Sequence, residues 1–238
     1  MEAIDGVLLV DKGQAMTSHD VVAVARRSLG IKKIGHCGTL DPMATGLLIL
    51  VVGRGTKIQD LLMAEDKEYV GSLELGSTTN TQDADGEVLE EKEIPGDLDE
   101  ATIRSAFDAF TGDFYQTPPM VSAIKKDGVP LYKLARQGKE VKRDPRFVHV
   151  YSYRIDSIEL PVVSFTVVCS KGFYVRTYAH DIGEKLGCGA HLKSLRRTKS
   201  GKFGLERAVT FEELKHGDRR ELIGKMLSLP EVSKLRGA

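Results

Sequence analysis

The chain of 238 residues has few cysteines and lacks any hydrophobic run that could span a bilayer. Its three cysteines, Cys37, Cys169 and Cys188, are an odd number and form no C-x-x-C pair. This pattern argues against a disulfide framework and against a structural zinc site, so we expect buried or incidental thiols. The apolar run 47–52 has the length of a strand, whereas a membrane-spanning helix needs about 20 apolar residues.

The amino terminus has acidic residues, Glu2 and Asp5, and lacks the apolar core of an export signal. We therefore expect a cytoplasmic protein without a membrane segment. With 41% hydrophobic and 29% charged residues, the chain can bury a substantial core in one large or two small domains. No repeat, low-complexity tract or flexible linker is apparent, which favours one domain with surface additions.

The net charge of zero conceals a strong charge asymmetry along the chain. Residues 1–60 carry 7 basic and 6 acidic side chains, residues 61–120 carry 3 and 15, and residues 121–238 carry 24 and 13. Two basic clusters stand out. They are Lys125, Lys126, Lys133, Arg136, Lys139, Lys142, Arg143 and Arg146, and then Lys193, Arg196, Arg197, Lys199 and Lys202. A polyanion would bind along clusters that share a face, and the alternative is a solvated surface offset by the acidic third.

One carboxylate, Asp41, lies in a segment of glycines, threonines and a proline that runs from residue 35 to residue 48. Gly38 and Gly46 allow unusual backbone angles, and Pro42 keeps Asp41 out of helical geometry. A carboxylate on a rigid loop beside a core strand is well placed as a nucleophile or base. The alternative is that Asp41 only caps the Asp-Pro turn, as most such residues do.

The periodicity of the chain predicts an α+β fold. Strands are expected at residues 6–10, 47–52, 69–75, around Val88, 147–160, 162–170 and 191–198. Helices are expected from an N-cap at Thr17 to Gly30, and over 56–63, 98–110, 130–137 and 174–186. The segment 116–119 contains two prolines, so we expect it to be irregular and to open a basic surface insertion.

Two further groups of residues suggest chemistry. Tyr174 and Arg176 open a predicted helix after Gly172, where the tyrosine suits base stacking and the arginine suits a carboxylate or phosphate. A core tyrosine and a surface ion pair are the commoner fate of such a pattern. Lys67 and Tyr69 open a predicted strand, which by itself is typical of packing.

Taken together, five motifs spread over roughly residues 5–210 resemble the bacterial TruB-type tRNA pseudouridine synthases. The motifs are Gly-His-x-Gly-Thr-Leu-Asp-Pro-x-Ala-Thr-Gly-Leu-Leu from Gly35, Gly-Arg-Gly-Thr-Lys from Gly53, Lys-x-Tyr from Lys67, Gln-x-Pro-Pro-x-x-Ser-Ala-x-Lys from Gln116, and Cys-Ser-Lys-Gly-x-Tyr-x-Arg from Cys169. Five motifs in order make a chance match very unlikely.

The resemblance implies an isomerase that converts uridine 55 in the T-loop of tRNA to pseudouridine. The base is detached, rotated and rejoined through carbon, without cofactor or metal. Asp41 is implied as the catalytic carboxylate and Arg176 as its counter-charge. Attack at the ribose C1′, attack at the pyrimidine ring and stabilisation of a charged sugar all remain open.

The resemblance also assigns supporting roles. His36 would help displace the flipped base, Tyr69 would contact the base and move a proton, and Tyr174 would line the pocket. Lys57 and Asp83 match positions near the site, and Leu195 matches an apolar pocket wall, although a plain core leucine explains it equally well. The implied RNA-backbone contacts are Lys125, Lys126, Arg143, Arg196 and Arg197.

The implied architecture is a pseudouridine synthase catalytic domain over residues 1–210, with a central mixed or antiparallel sheet flanked by helices and loops. Residues 116–146 would be an RNA-clasping insertion, and residues 211–238 a short helical tail without a full C-terminal domain of the PUA type. We expect a monomer that binds the T-arm of tRNA. Binding to the acceptor arm would be weaker, or the insertion would carry more of it.

Two sequence departures qualify the match. The family's Lys-Pro-x-Gly-x-Thr-Ser reads Lys12-Gly-Gln-Ala-Met-Thr-Ser here, without the proline, and its Thr-Asp-Thr-x-Asp reads Thr-Asn-Thr-Gln-Asp83. Two other functions remain open. They are a non-catalytic tRNA binder or folding chaperone, and a pseudouridine synthase that acts on a different RNA.

Overall fold

The computed structural model describes residues 4–237. Its strands are β1 Gly6–Lys12, β2 Ile34–Cys37, β3 Thr45–Val52, β4 Lys67–Leu75, β5 Ser77–Thr79, β6 Val88–Glu91, β7 Gly112–Gln116, β8 Lys125–Lys126, β9 Val129–Pro130, β10 Arg146–Glu159, β11 Val162–Cys169, β12 Ala190–Ser200, β13 Phe203–Gly204 and β14 Val209–Thr210. Its α-helices are α1 Ser18–Leu29, α2 Gln59–Met63, α3 Glu100–Asp108, α4 Leu131–Ala135, α5 Val175–Leu186, α6 Phe211–His216, α7 Arg219–Gly224 and α8 Leu229–Arg236.

The chain divides into two compact units. The first unit comprises residues 1–69 and 195–238, and the second comprises residues 70–194.

The first unit has a mixed sheet whose central strands are mostly apolar. Strand β1 pairs parallel to β14 and antiparallel to β3, and β3 pairs parallel to β12 and antiparallel to β2. Almost every residue of β1 and β3 is buried, as expected for strands covered on both faces. Cys37, Cys169 and Cys188 are buried thiols outside any disulfide, which confirms the prediction made for them.

Helix α1 of the first unit has the ends that its sequence predicts. Thr17 is the N-cap and forms a reciprocal capping box with Asp20, and Gly30 closes the helix in the left-handed conformation. The buried side of the helix includes Val21 and Leu29, so its apolar positions recur at helical spacing.

The second unit has an antiparallel sheet with two helices against it. Strand β10 pairs antiparallel to both β11 and β7. Phe107 of α3 packs its ring 5.6 Å from that of Phe165 on β11 and 5.7 Å from that of Tyr178 on α5. Both helices therefore cover the same face, and the predicted α+β class with a mixed sheet flanked by helices is confirmed.

Two strands lie where the sequence suggested irregular structure. His36 and Cys37 belong to β2, which pairs with β3, and Gln116 closes β7, which pairs with the start of β10. Both short strands form because they pair with a neighbouring strand, β3 or β10, and their own sequences therefore do not predict them. Within residues 4–237, no helix is long and apolar enough to cross a membrane.

The basic insertion contains a small hairpin of β8 and β9 followed by α4. Residues 211–236 contain α6, α7 and α8, whose N-caps are Thr210, Asp218 and Ser228. The domain boundary at residue 210 stays a prediction.

Candidate active site

The Asp41 loop, residues 38–44, joins β2 to β3 in the first unit. The Asp41 carbonyl accepts the N–H of Ala44 at 3.1 Å, which closes a turn around Pro42. The buried hydroxyl of Ser18 accepts the N–H of Leu40 at 2.9 Å and donates to the Leu40 carbonyl at 3.2 Å. One serine thus satisfies both backbone groups of Leu40, which holds the backbone in place immediately before Asp41.

A buried ammonium holds the other side of this turn. Lys12 is fully buried, and its Nζ donates to the carbonyls of Gly13 at 2.9 Å, Met16 at 2.8 Å and Pro42 at 3.4 Å. Burial lowers the pKa of Lys12 to about 8, and the negative charge of Asp41 opposes this shift. Lys12 therefore supplies a positive charge within the electrostatic reach of the candidate catalytic carboxylate.

Arg197 was expected to contact phosphate at the surface, and this prediction is wrong. The side chain is only 1% exposed, and its guanidinium donates to the carbonyls of Leu47 at 2.8 Å and Gly38 at 3.1 Å. Arg197 therefore ties the two ends of the Asp41 loop together. A Cβ at Gly46 would lie 2.3 Å from the Arg197 carbonyl, which explains the glycine there.

His36 lies on β2, just before the loop. Its ring meets that of His19 edge-on, with 5.2 Å between centroids. Burial, followed by the neighbouring charges of His19 and Arg197, lowers the pKa of His36 to about 4. The imidazole is therefore neutral at pH 7, as suits a ring that contacts a nucleobase.

The other predicted residues of the first unit lie on three elements. Tyr69 is buried on β4, Leu195 is buried on β12, and Lys57 is exposed on the 3₁₀ turn that follows β3. Arg196 makes a two-pronged ion pair with Asp11, at 3.0 and 2.6 Å, and stays partly exposed.

In the second unit, Arg176 is 3% exposed on the first turn of α5. Its guanidinium donates to the carbonyls of Thr81 at 2.8 Å and Val121 at 2.7 Å, and its Nε lies 3.5 Å from Asp83 Oδ2. Asp83 also accepts the Thr81 hydroxyl at 2.5 Å and is itself buried. Sequence reasoning placed both residues near the site but missed this ion pair, and the pairing of Arg176 with Asp41 stays a prediction.

Tyr174 is the N-cap residue of α5, and Gln116 holds its backbone on both sides. The Gln116 amide accepts the Tyr174 N–H at 2.8 Å and donates to the Tyr174 carbonyl at 3.1 Å. Gln116 is 2% exposed, so these bonds are shielded from water. Sequence reasoning missed this positioning role, although the motif Gln-x-Pro-Pro contains the residue.

The two basic clusters differ in their surroundings. In the second cluster, Lys193, Arg196 and Lys199 pair with Glu74, Asp11 and Glu68. In the first cluster, Lys125 and Lys126 are exposed. Arg143 donates a hydrogen bond to the Pro118 carbonyl and forms an ion pair with Glu140 at 3.4 Å.

Lys12 and Ser18 position the Asp41 loop, a role that the sequence did not predict for them. They are the first and last residues of the segment that matches Lys-Pro-x-Gly-x-Thr-Ser, and this match was the available signal. The described part of the chain has no group of three or more His, Cys, Asp or Glu side chains arranged to hold a metal ion.

Comparison with known families gives two adjoining matches. The model of the TruB family pseudouridylate synthase N-terminal domain matches residues 26–175, and that of the tRNA pseudouridylate synthase B C-terminal domain matches residues 176–227. A tRNA pseudouridine synthase B of Opitutus terrae is 55% identical over 97% of this chain and 91% of its own length. A second, of Syntrophotalea carbinolica, is 50% identical over 96% of this chain and 74% of its own length.

Two solved structures are similar. One is a Cbf5-Nop10-Gar1 complex, with TM-score 0.73 and 30% identity over 97% of this chain. The other is an H/ACA RNP bound to a substrate RNA containing 2′-deoxyuridine, with TM-score 0.65 and 30% identity over 87%. This chain spans only 62% and 51% of the matched chains in those structures.

Proposed function

We propose that this chain, which belongs to the TruB family of pseudouridylate synthases, converts uridine 55 in the T-loop of tRNA to pseudouridine. Family membership confirms the predicted enzyme class, an isomerase with a pseudouridine synthase fold. The observation that carries the proposal is the Asp41 loop, which presents a carboxylate from a turn fixed at Leu40 and Pro42. The tRNA substrate follows from the names of the relatives. Position 55 and the T-arm follow from the sequence resemblance.

Asp41 would act on the uridine as the reacting carboxylate. A rigid loop keeps the carboxylate in a reactive geometry without further loss of entropy when RNA binds. A bond to the ribose C1′, a bond to the pyrimidine ring and electrostatic stabilisation of the sugar all fit this placement.

The remaining site residues would bind the flipped uridine. Extruding a base from a stacked loop costs a few kcal/mol, which contacts in the pocket must offset. We assign Tyr69 and Tyr174 to the pocket, with Tyr69 as the group that moves a proton. His36, as a neutral ring, suits the space left by the extruded base. Arg176 remains the predicted counter-charge of Asp41.

The RNA backbone would bind cations of both basic clusters. Lys125, Lys126 and Arg143 of the first cluster and Arg196 of the second are the residues assigned to phosphates. We also expect the enzyme to act as a monomer in the cytoplasm without a cofactor.

The test is tritium release from a T-arm hairpin that carries 5-tritiated uridine at position 55. We expect stoichiometric release, because rejoining through carbon 5 expels the hydrogen at that position. A hairpin with cytidine at position 55 and tritiated uridine elsewhere is the matched control, and it should bind without releasing tritium. Absence of release from the first RNA would refute the synthase function. Equal release from both would refute the assignment of position 55.

A further inference from the structure

Strands β7 and β10 expose a row of aromatic side chains in the second unit. Tyr115 is 72% exposed, Phe147 is 59% exposed and Tyr151 is 52% exposed. Single exposed apolar residues are common on protein surfaces, but a contiguous aromatic group marks an interaction site. We call these three residues together with His149 the aromatic strip.

Strand pairing explains why these rings share one face. Tyr115 lies opposite Phe147 in the antiparallel register, with 5.7 Å between ring centroids. His149 follows two positions later on β10, and its ring lies 4.4 Å from that of Tyr151. The intervening residues of β10, Val148 and Val150, are buried in the core. The strip therefore lies on the face opposite the one that α3 and α5 cover.

The segment that leads into the strip along the chain carries a strong positive charge. Residues 125–146, which lead directly into Phe147, contain eight Lys and Arg and only three Asp and Glu. Exposed Lys171 lies beside the strip as well, because the preceding residue, Ser170, exchanges two hydrogen bonds with the backbone of His149. Asp113 is the acidic neighbour, and it is paired with His149 at 2.6 Å.

Along β7, the strip adjoins a residue that positions one of the candidate site residues of the second unit. Gln116, which follows Tyr115, holds both backbone groups of Tyr174. Gln116 is buried and Tyr115 is exposed, so the two side chains point to opposite faces of β7. Exposed rings next to a basic segment are the combination that binds unpaired nucleotides by stacking.

We propose that the aromatic strip is a second RNA site, which stacks unpaired nucleotides outside the one that is isomerised. It deepens the proposed function, because the choice of RNA as partner rests on that function. Tyr115, Phe147 and Tyr151 supply the stacking faces, and the cations of residues 125–146 and Lys171 neutralise the phosphates.

The test measures binding of an oligoadenylate of about 12 nucleotides, a length within the usual range of single-stranded sites. This RNA contains no uridine, so its binding is independent of isomerisation. We expect Tyr115, Phe147 and Tyr151 replaced together by Ala to weaken binding at least tenfold. Replacing all three by Leu should weaken it similarly, because leucine keeps apolar area but has no ring to stack. The double variant Tyr115→Phe and Tyr151→Phe should bind as the wild type does.

Leu89→Ala is the matched control, because Leu89 is 69% exposed on a strand of the same unit. It should leave binding unchanged. Only variants whose thermal unfolding midpoint equals that of wild type are compared. Tritium release, measured on the same preparations, reports the proposed function separately. The proposal is overturned if wild type does not bind the oligoadenylate, if the folded Ala variant binds as wild type does, or if the Leu variant keeps full affinity.

Discussion

His36 shows how burial sets the chemical state of a single site residue. Its pKa is lowered to about 4, mainly because burial disfavours the charged ring. An unfolded chain takes up this proton near pH 6.5, whereas the folded protein does not until about pH 4. Since the unfolded state binds more protons in that interval, stability falls as the pH falls from 6.5 to 4.

His36→Gln should therefore reduce the acid sensitivity of the fold. Between pH 7 and pH 4.5, we expect the variant to lose less unfolding free energy than wild type does, by about 1 to 3 kcal/mol. Urea unfolding at the two pH values measures the difference. His216→Gln, at an exposed histidine of α6, is the control and should behave as wild type. Equal acid losses for His36→Gln and wild type would contradict a lowered pKa of the half-buried His36.

At the scale of elements, the Asp41 loop depends on contacts that come from distant parts of the chain. Gly46 has a φ of +98°, and an added Cβ would lie 2.3 Å from the Arg197 carbonyl on β12. The close approach of β3 and β12 therefore requires glycine for two independent reasons, the backbone conformation and the lack of space.

Gly46→Ala should destabilise the protein by at least about 2 kcal/mol more than a glycine substitution that introduces strain alone. Gly112→Ala is the matched control, because Gly112 has a φ of +80° with nothing within 4 Å of an added Cβ. Denaturant unfolding of both variants gives the difference. Equal losses would show that the contact with Arg197 does not constrain the loop.

The elements that the sequence predicted well are those with local signals. Thr17, Asp20 and Gly30 define the ends of α1 by capping chemistry, and the predicted bounds of that helix are confirmed. Strand β2 was missed because its four residues show no apolar alternation of their own, and only the pairing with β3 makes them a strand. The burial of Arg197 was missed for a related reason, since its acceptors, Gly38 and Leu47, lie about 150 residues earlier in the chain.

For the whole molecule, charge is distributed so that one basic cluster is largely compensated and the other is not. The cations at 193, 196 and 199 have acidic partners, whereas the insertion at 125–146 has a large excess of Lys and Arg. A sequence count found both clusters but could not distinguish them, because the pairing acids are distant in the chain.

Replacing Lys125, Lys126 and Arg143 together by Ala should weaken T-arm RNA binding and flatten its salt dependence. Each lost phosphate contact reduces the slope of log K against log salt by about 0.7 to 0.9. Binding titrations over a range of salt concentrations measure the slope. The control replaces Lys92, Arg104 and Arg154, which pair with acidic residues, and should leave the slope near that of wild type. An unchanged slope in the first variant would refute the RNA-clasping role.

The role of Asp41 is tested by single-turnover tritium release from 5-tritiated T-arm RNA, measured with the Asp41→Asn variant. Removal of the reacting carboxylate should reduce the rate to about a thousandth of wild type or less, with RNA affinity retained. Asp60→Asn, at an exposed carboxylate on α2, is the control and should react as wild type. Release by Asp41→Asn at a rate near that of wild type would contradict the assignment of Asp41 as the catalytic carboxylate.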